Sequence, residues 1–340
     1  MDFIFFFAKR MLATIPLLIG ISIVSFGIIQ AVPGDYVDTW ISATSAQTGK
    51  SYDELLPQAE VMRERLGLDE PLPIQYLVWV KDIVFSGDFG MSFRHNRPVT
   101  EVIGVRLPRT LFLAIATVVL SQVIGVLLGI FAATHQYKLG DNIATFIAFV
   151  GIVIPKFVIS LVILYLLAFV WHSPYIGAVN SAQYVLQDYW DLPKIWDFLK
   201  HVWPVLLVSI WAGQAYTTRM MRGNLLDVMN MQYIETARAK GLSRRKVLYK
   251  HAVPNALHPV VMNLGTRFDY MIKGEIEIAI VLGIPTVGPL ILSSVADRDM
   301  YVVSAIFMMV AILLVLGNLF ADLILALLDP RVRRATLARG

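Results

Sequence analysis

The sequence contains no cysteine, which excludes disulfides, thiolate catalysis and cysteine-ligated zinc. It is also poor in charge, because only 16% of its 340 residues are Asp, Glu, Lys or Arg, compared with about a quarter in soluble domains. Hydrophobic residues make up 57% of the chain. A soluble protein of this length would need more charged surface, and the balance therefore predicts an integral membrane protein. The net charge of +4 is small and forms no basic face that would favour nucleic-acid binding.

Motifs for catalysis and metal binding are also missing. The sequence has no HExxH and no GxSxG pattern, and its six histidines lack the spacing of metal ligands. The run Thr48-Gly49-Lys50-Ser51 ends like a phosphate-binding loop, but the glycine required at position 44 is replaced by Thr44. The sequence therefore predicts no catalytic residue, no metal site and no cofactor on this chain.

Long apolar runs predict an all-α integral membrane protein with six transmembrane helices. Residues 1–31 comprise a short N-terminus and the first span, whose uncharged run of 21 residues is too long for a signal peptide and lacks a cleavage site. The other five spans are predicted at residues 110–134, 143–171, 202–218, 257–283 and 301–328, within a membrane core of residues 108–328. Pro155 and Lys156 interrupt the third span.

The distribution of charge predicts the orientation of these spans. Residues 219–255 hold eight Lys/Arg against two acids, and the tail at 329–340 adds four arginines. By the positive-inside bias both segments face the cytoplasm, which places both termini there. Residues 32–107 hold eleven acids against seven basic residues and fall outside. This stretch is too long for a connection, so we expect a small extracytoplasmic domain between the first and second spans.

The cytoplasmic segment 219–255, between the fourth and fifth spans, predicts a helix-turn-helix. Residues 225–240 can form a helix, and Gly241 stands where glycine takes a left-handed C-terminal turn at little cost. Ser243 can cap a second helix that runs to Val253, where Pro254 would stop it. On charge alone, the alternative is an ordinary basic loop that contacts anionic membrane lipid.

The spacing within this segment resembles the signature of importer permeases in the ATP-binding cassette superfamily. That signature is Glu-Ala-Ala, three residues, Gly, nine residues, and Ile-x-Leu-Pro. Glu235, Ala237, Gly241 and Pro254 match it, whereas Thr236 replaces the first alanine. The resemblance implies that these five residues couple the permease to its ATPase subunits.

Further segments are similar to the dipeptide and oligopeptide permease branch, and together they cover nearly the whole chain. They are residues 31–35, 66–72, 87–90, 106–111, 236–242 and 328–331. One position departs from this branch, because the glutamate expected four residues before Gly283 is Ala279. Permeases of the same branch are associated with oligosaccharides or nickel. A peptide or an oligosaccharide is therefore the expected solute, and nickel is disfavoured because no cluster of nickel ligands is present.

The resemblance also implies the partners of the chain. We expect a sister permease, two ATPase subunits that bind ATP and Mg, and an extracytoplasmic solute-binding protein, all at a bacterial plasma (inner) membrane. The stiff cytoplasmic segment would pass the closure of the ATPases to the spans. A self-sufficient secondary transporter is one alternative, although no inverted repeat is visible. An intramembrane enzyme is the other, although it would need a catalytic constellation.

The predicted fifth span carries several charges at membrane depth. On a helix, Asp269, Lys273 and Glu277 fall on one face at a spacing of four, while Glu275 lies on another face. Ionisable groups inside a membrane usually face a bundle interior or a wet cavity. We therefore predict that these residues, together with Lys156 of the third span, line the translocation path. The alternative is a structural or interfacial ion pair.

Overall fold

The structure, a computed structural model, describes residues 14–27, 34–185, 187, 189–264 and 275–328. Within these residues it is mostly helical, with one short antiparallel hairpin in which Met91 pairs with Pro98 and Ser92 with Arg97. An all-α fold is therefore confirmed in its essentials. Asp269, Lys273, the ends of the predicted first span and the tail at 329–340 lie outside the described residues.

The helices are given in chain order, with the two strands at their place in the sequence. They are α1 (Thr14–Gly27), α2 (Tyr36–Thr48), α3 (Tyr52–Leu66), α4 (Leu72–Ser86), β1 (Met91–Ser92), β2 (Arg97–Pro98), α5 (Val99–Gly104), α6 (Leu107–Thr134), α7 (Leu139–Val153), α8 (Lys156–Val170), α9 (Ala182–Val185), α10 (Leu192–Met229), α11 (Gln232–Ala239), α12 (Arg244–Lys246), α13 (Val253–Met262), α14 (Glu275–Leu282), α15 (Val287–Ala296) and α16 (Met300–Leu328). The last turn of α8, Leu166–Val170, is π-helical, and a π-helical turn over Val247–Ala252 joins α12 to α13.

Several of these helices have the length and apolar character of membrane spans. Three described helical stretches meet both criteria: Val99–Thr134, Leu192–Met229 and Met300–Gly317. Two further candidates are bent pairs, α7 with α8 at 97° and α14 with α15 at 81°. The described part of α1 is apolar but shorter. The chain is therefore a multi-pass helical protein by length and composition.

The predicted third span is sharply bent where the sequence analysis noted an interruption. Ile154 is extended, with φ −81° and ψ 123°, and the next helix begins at Lys156. Proline clashes with a helical conformation in the residue before it, and Pro155 therefore ends α7. Residues 143–171 consequently form two helices rather than one straight span.

The predicted fourth span is much longer than its apolar run of residues 202–218. The helix α10 continues in both directions through polar residues and covers 38 residues. Hydropathy finds only the part of a helix that suits hydrocarbon, so it missed both extensions. The helix predicted over residues 225–240 is consequently divided, because residues 225–229 belong to the end of α10 and a break at Asn230 and Met231 precedes α11.

One compact unit is formed by the described residues within Arg109–Gly288 and Leu314–Gly340. Its main apolar core joins four helices: Leu113 from α6, Ile159 from α8, Val205 from α10 and Ile278 from α14. A second apolar cluster in this unit packs under α11, in the predicted coupling segment of residues 219–255.

The other compact unit is formed by the described residues within Phe7–Pro108 and Pro289–Leu313. Its aromatic core brings together Phe26 of α1, Trp79 of α4, Phe93 of the hairpin and Met300 of α16. Described residues of the predicted extracytoplasmic segment 32–107 therefore pack with parts of α1 and α16 within this unit.

Candidate coupling site

The turn at Gly241 has the geometry that the sequence predicted. Gly241 has a φ of +74°, its N–H donates to the carbonyl of Arg238 at 2.9 Å, and the N–H of Leu242 donates to the carbonyl of Ala237 at 3.3 Å. These two bonds define a Schellman motif, which satisfies carbonyls at the end of α11. A Cβ at position 241 would meet nothing within 4 Å. The glycine is therefore required for its backbone conformation and not for space.

The inner face of α11 is buried in an apolar cluster. Ile234 and Ala237 are almost fully buried against Met221 and Leu225 of α10, with Leu242 at the edge of the same cluster. Ile130 of α6 and Val247, Ala252, Val253, Ala256 and Val260 complete it. Side chains from three other parts of the chain thus hold the turn in place.

The outer face of α11 carries the polar residues of the motif. Glu235 and Thr236 are exposed, and the Thr236 hydroxyl donates to the carbonyl of Gln232 at 3.0 Å. Among the described residues, no salt bridge joins Glu235 to Arg238, the intrahelical partner that the sequence offered. The Glu235 carboxylate therefore faces solvent.

Pro254 does not end the second helix, which corrects the sequence prediction. The helical path runs from Arg244 through the π-helical turn to Met262, and Pro254 lies at the start of α13. Proline is tolerated in the first turn of an α-helix, where its missing N–H leaves no bond broken. The change from π-helical to α-helical bonding at Val253 provides such a start. Ser243 precedes this path, but its side chain accepts no capping hydrogen bond.

The coupling segment continues into a closely packed seam between α6 and α10. A Cβ on Gly125 would lie 2.7 Å from the Cβ of Thr217, and one on Gly129 would lie 2.6 Å from the Cβ of Met221. Glycine at these positions lets the two helix backbones approach closely. Met221 belongs both to this seam and to the cluster beneath α11, so the coupling segment and the two helices share one packed interior.

The predicted path residues that the structure describes do not all share one environment. Lys156 is half-buried and interacts electrostatically with Glu277, which is exposed. Glu275 is buried at 2% exposure, one turn before Ile278 of the apolar core. Both of its carboxylate oxygens lack a hydrogen-bond partner among the described residues. Glu275 and Glu277 thus lie on different faces of α14, as the spacing predicted.

Comparison with known proteins places this arrangement in a family. Residues 125–334 match the binding-protein-dependent transport system inner membrane component family, and residues 3–114 match the corresponding N-terminal family. The chain belongs to this permease family. Both the coupling segment and the bent helices α7 and α8 lie inside the larger match.

Several curated permeases are similar along nearly their whole length. The oligopeptide transport system permease protein AppB of Bacillus subtilis is 35% identical over 95% of this chain and 98% of its own. The dipeptide transport system permease protein DppB of Alkalihalophilus pseudofirmus is 33% identical over 96% and 98%. The glutathione transport system permease protein GsiC of Escherichia coli K12 is 31% identical over 96% and 97%. The resemblance inferred from the motifs is confirmed.

The permease also contains a polar contact that the sequence analysis missed. Arg222 of α10 donates two hydrogen bonds to Asp141 of α7, one from Nε and one from Nη2, each 2.7 Å long. The two residues are 81 positions apart, so no local pattern relates them. The available signal was an acid at the start of one apolar run and an arginine just beyond the end of another.

Proposed function

We propose that this permease forms half of the translocation pathway for peptides in an ATP-driven, binding-protein-dependent importer. Its membership of the permease family supports the importer role. Relatives named for oligopeptide, dipeptide and glutathione transport match it over nearly full length, which favours peptides over the oligosaccharides that the sequence also allowed. The chain itself contributes no catalytic residue in this proposal.

The observation that carries the coupling role is that α11 is buried on one face and exposed on the other. Its inner face is fixed by Ile234 and Ala237, while Glu235 and Thr236 are presented outwards beside a left-handed turn. A rigidly mounted helix end transmits displacement, whereas a mobile loop would absorb it. We therefore assign this exposed face to contact with one of two ATPase subunits, which would bind ATP and Mg.

The remaining partners follow from the same role. A sister permease would form the other half of the pathway, and an extracytoplasmic solute-binding protein would deliver the peptide. Residues 32–107 would receive that protein outside a bacterial plasma membrane. This assignment gives six spans with both termini in the cytoplasm. Counting each bent helix pair as one span yields five, and α1 would be the sixth.

We further propose that Lys156, Asp269, Lys273, Glu275 and Glu277 line or border the translocation path. The support comes from the electrostatic interaction between Lys156 and Glu277 and from the buried carboxylate of Glu275. Because the chain has no native cysteine, single cysteines at 275 and 277 can be labelled directly. Labelling of at least one position should change between ATP-free and ATP-trapped complexes. Equal protection of both positions in both states would contradict the path assignment.

Reconstitution tests the importer proposal directly. The permease should purify with a second permease and with ATPase subunits, and liposomes containing that complex should take up peptide when ATP and the solute-binding protein are supplied. The permease alone should take up none. Uptake by the isolated chain without nucleotide hydrolysis would contradict the proposal and favour a secondary transporter.

A further inference from the structure

Asp141 organises the connection between α6 and α7. Its carboxylate is almost fully buried and accepts hydrogen bonds from the backbone N–H of Tyr137 at 2.9 Å and the hydroxyl of Thr145 at 3.3 Å. Tyr137 has a φ of +60°, which is unfavourable for a residue with a side chain. The bond from its N–H to Asp141 holds this conformation. One carboxylate therefore fixes both the turn after α6 and the first turns of α7.

Arg222 connects this turn to α10. Its guanidinium is partly buried and donates two hydrogen bonds, one to each oxygen of the same carboxylate. This bidentate geometry is the one in which arginine pairs most specifically with a carboxylate. Arg222 directly follows Met221 and lies three residues before Leu225, and both of these side chains belong to the cluster under α11. The pair is thus one residue away from the apolar cluster that supports α11.

Farther along the same two helices a second contact keeps them together. The indole N–H of Trp211 donates to the carbonyl of Ile147 at 3.0 Å. A Cβ on Gly151 would lie 2.9 Å from the carbonyl oxygen of Trp211, which shows how closely α7 approaches α10. The helix α7 ends two residues after Gly151, at Val153, and α8 begins at Lys156, after Pro155.

We propose that Arg222 and Asp141 are positioning residues that carry the movement of the coupling segment from α10 into α7 and towards the bend before Lys156. This proposal rests on the proposed importer function. A displacement of α11 pushes the shared cluster and α10, and the Arg222–Asp141 pair forces α7 to follow. Without the pair, the start of α7 near Asp141 can lag behind α10, although Trp211 still ties the two helices near Ile147, so ATP hydrolysis continues but drives less transport.

The test uses the full importer complex with four variants of this chain. Arg222→Gln and Asp141→Asn remove one charge of the pair, and Arg222→Lys keeps the charge but loses the two-pronged geometry. Arg219→Gln is the matched control, because Arg219 is an exposed arginine on the same helix, three residues away. For each complex the measurements are subunit composition, ATP hydrolysis rate and peptide uptake per ATP hydrolysed.

Peptide uptake per ATP should fall by at least about fivefold in Arg222→Gln and Asp141→Asn, the lower end of coupling between distant sites. Arg222→Lys should be intermediate and Arg219→Gln should equal wild type, with all complexes intact. A fall in hydrolysis and uptake in proportion, or an unchanged ratio in the charge-removing variants, would overturn the positioning role.

The double variant Arg222→Gln with Asp141→Asn guards against a purely structural effect, because asparagine at position 141 keeps an oxygen that can accept the Tyr137 N–H. If the interaction itself carries the movement, the double variant should lower the uptake ratio no further than either single change. Losses that add up in the double variant, in a complex that assembles fully, would contradict the proposal. Failure of the wild-type complex to use ATP would instead refute the importer function on which the proposal rests.

Discussion

Replacing Gly241 by alanine isolates the conformational requirement of the coupling turn. A left-handed conformation costs an L-residue about 1–2 kcal/mol, and the reduced freedom of the unfolded chain returns about 0.4–1 kcal/mol. Nothing lies within 4 Å of the added Cβ, so no steric contribution enters. The net cost is therefore about 1 kcal/mol, which corresponds to roughly a fivefold increase in local opening. Asparagine visits the left-handed region more readily, and Gly241→Asn should cost less.

Hydrogen exchange at the Leu242 amide measures this opening, because that N–H closes the turn onto the carbonyl of Ala237. Exchange should be fastest in Gly241→Ala, intermediate in Gly241→Asn and slowest in the wild-type permease. Gly223→Ala is the control, since Gly223 is helical and also has nothing within 4 Å of an added Cβ. Equal exchange in the alanine variant and the wild type would refute the backbone argument. A variant with asparagine that opens more than alanine would do the same.

Three further predictions concern packing and charge elsewhere in the permease. Gly129→Ala should destabilise the complex by about 1–3 kcal/mol, as overpacking does, because the added Cβ would press on Met221; thermal unfolding should show no such loss in Gly223→Ala. Ala237→Leu should displace α11 and reduce the ATPase retained on purification, and full retention would count against the buried-face argument. Arg63→Lys should lower the local stability of the α2–α3 region by no more than about 1 kcal/mol and so speed its proteolysis slightly, because lysine lacks the planar fork through which Nε and Nη2 of Arg63 reach Asp35 and Asp38; an unchanged rate would show that these contacts stabilise nothing.

Local chemistry explains which features the sequence could predict. A glycine that follows a helical run commonly ends the helix, as Gly241 does. The apolar residues Ile234 and Ala237, three positions apart, lie on one face of α11, and that face is buried. Pro155 marks a break because proline restricts the residue before it. Each of these signals lies within a few residues of its effect.

Features that depend on distant parts of the chain escaped prediction. The pairing of Arg222 with Asp141 needs α7 and α10 to be packed together, which neither segment reveals alone. The local sequence around Pro254 predicts a helix end. It contains no signal for the preceding π-helical turn, after which Pro254 falls in the first turn of α13. The packing of the described residues of 32–107 with α1 and α16 depends on the apolar cluster that Phe26, Trp79 and Met300 form.

The exposed face of α11 is the feature on which the coupling mechanism depends, and a cysteine at position 235 tests it most directly. With no other cysteine in the chain, an impermeant maleimide reports only that position. Labelling should occur from the cytoplasmic side in the permease alone and should be blocked once the ATPase subunits are bound. Equal labelling with and without the ATPases, or labelling of intact cells from outside, would contradict the account.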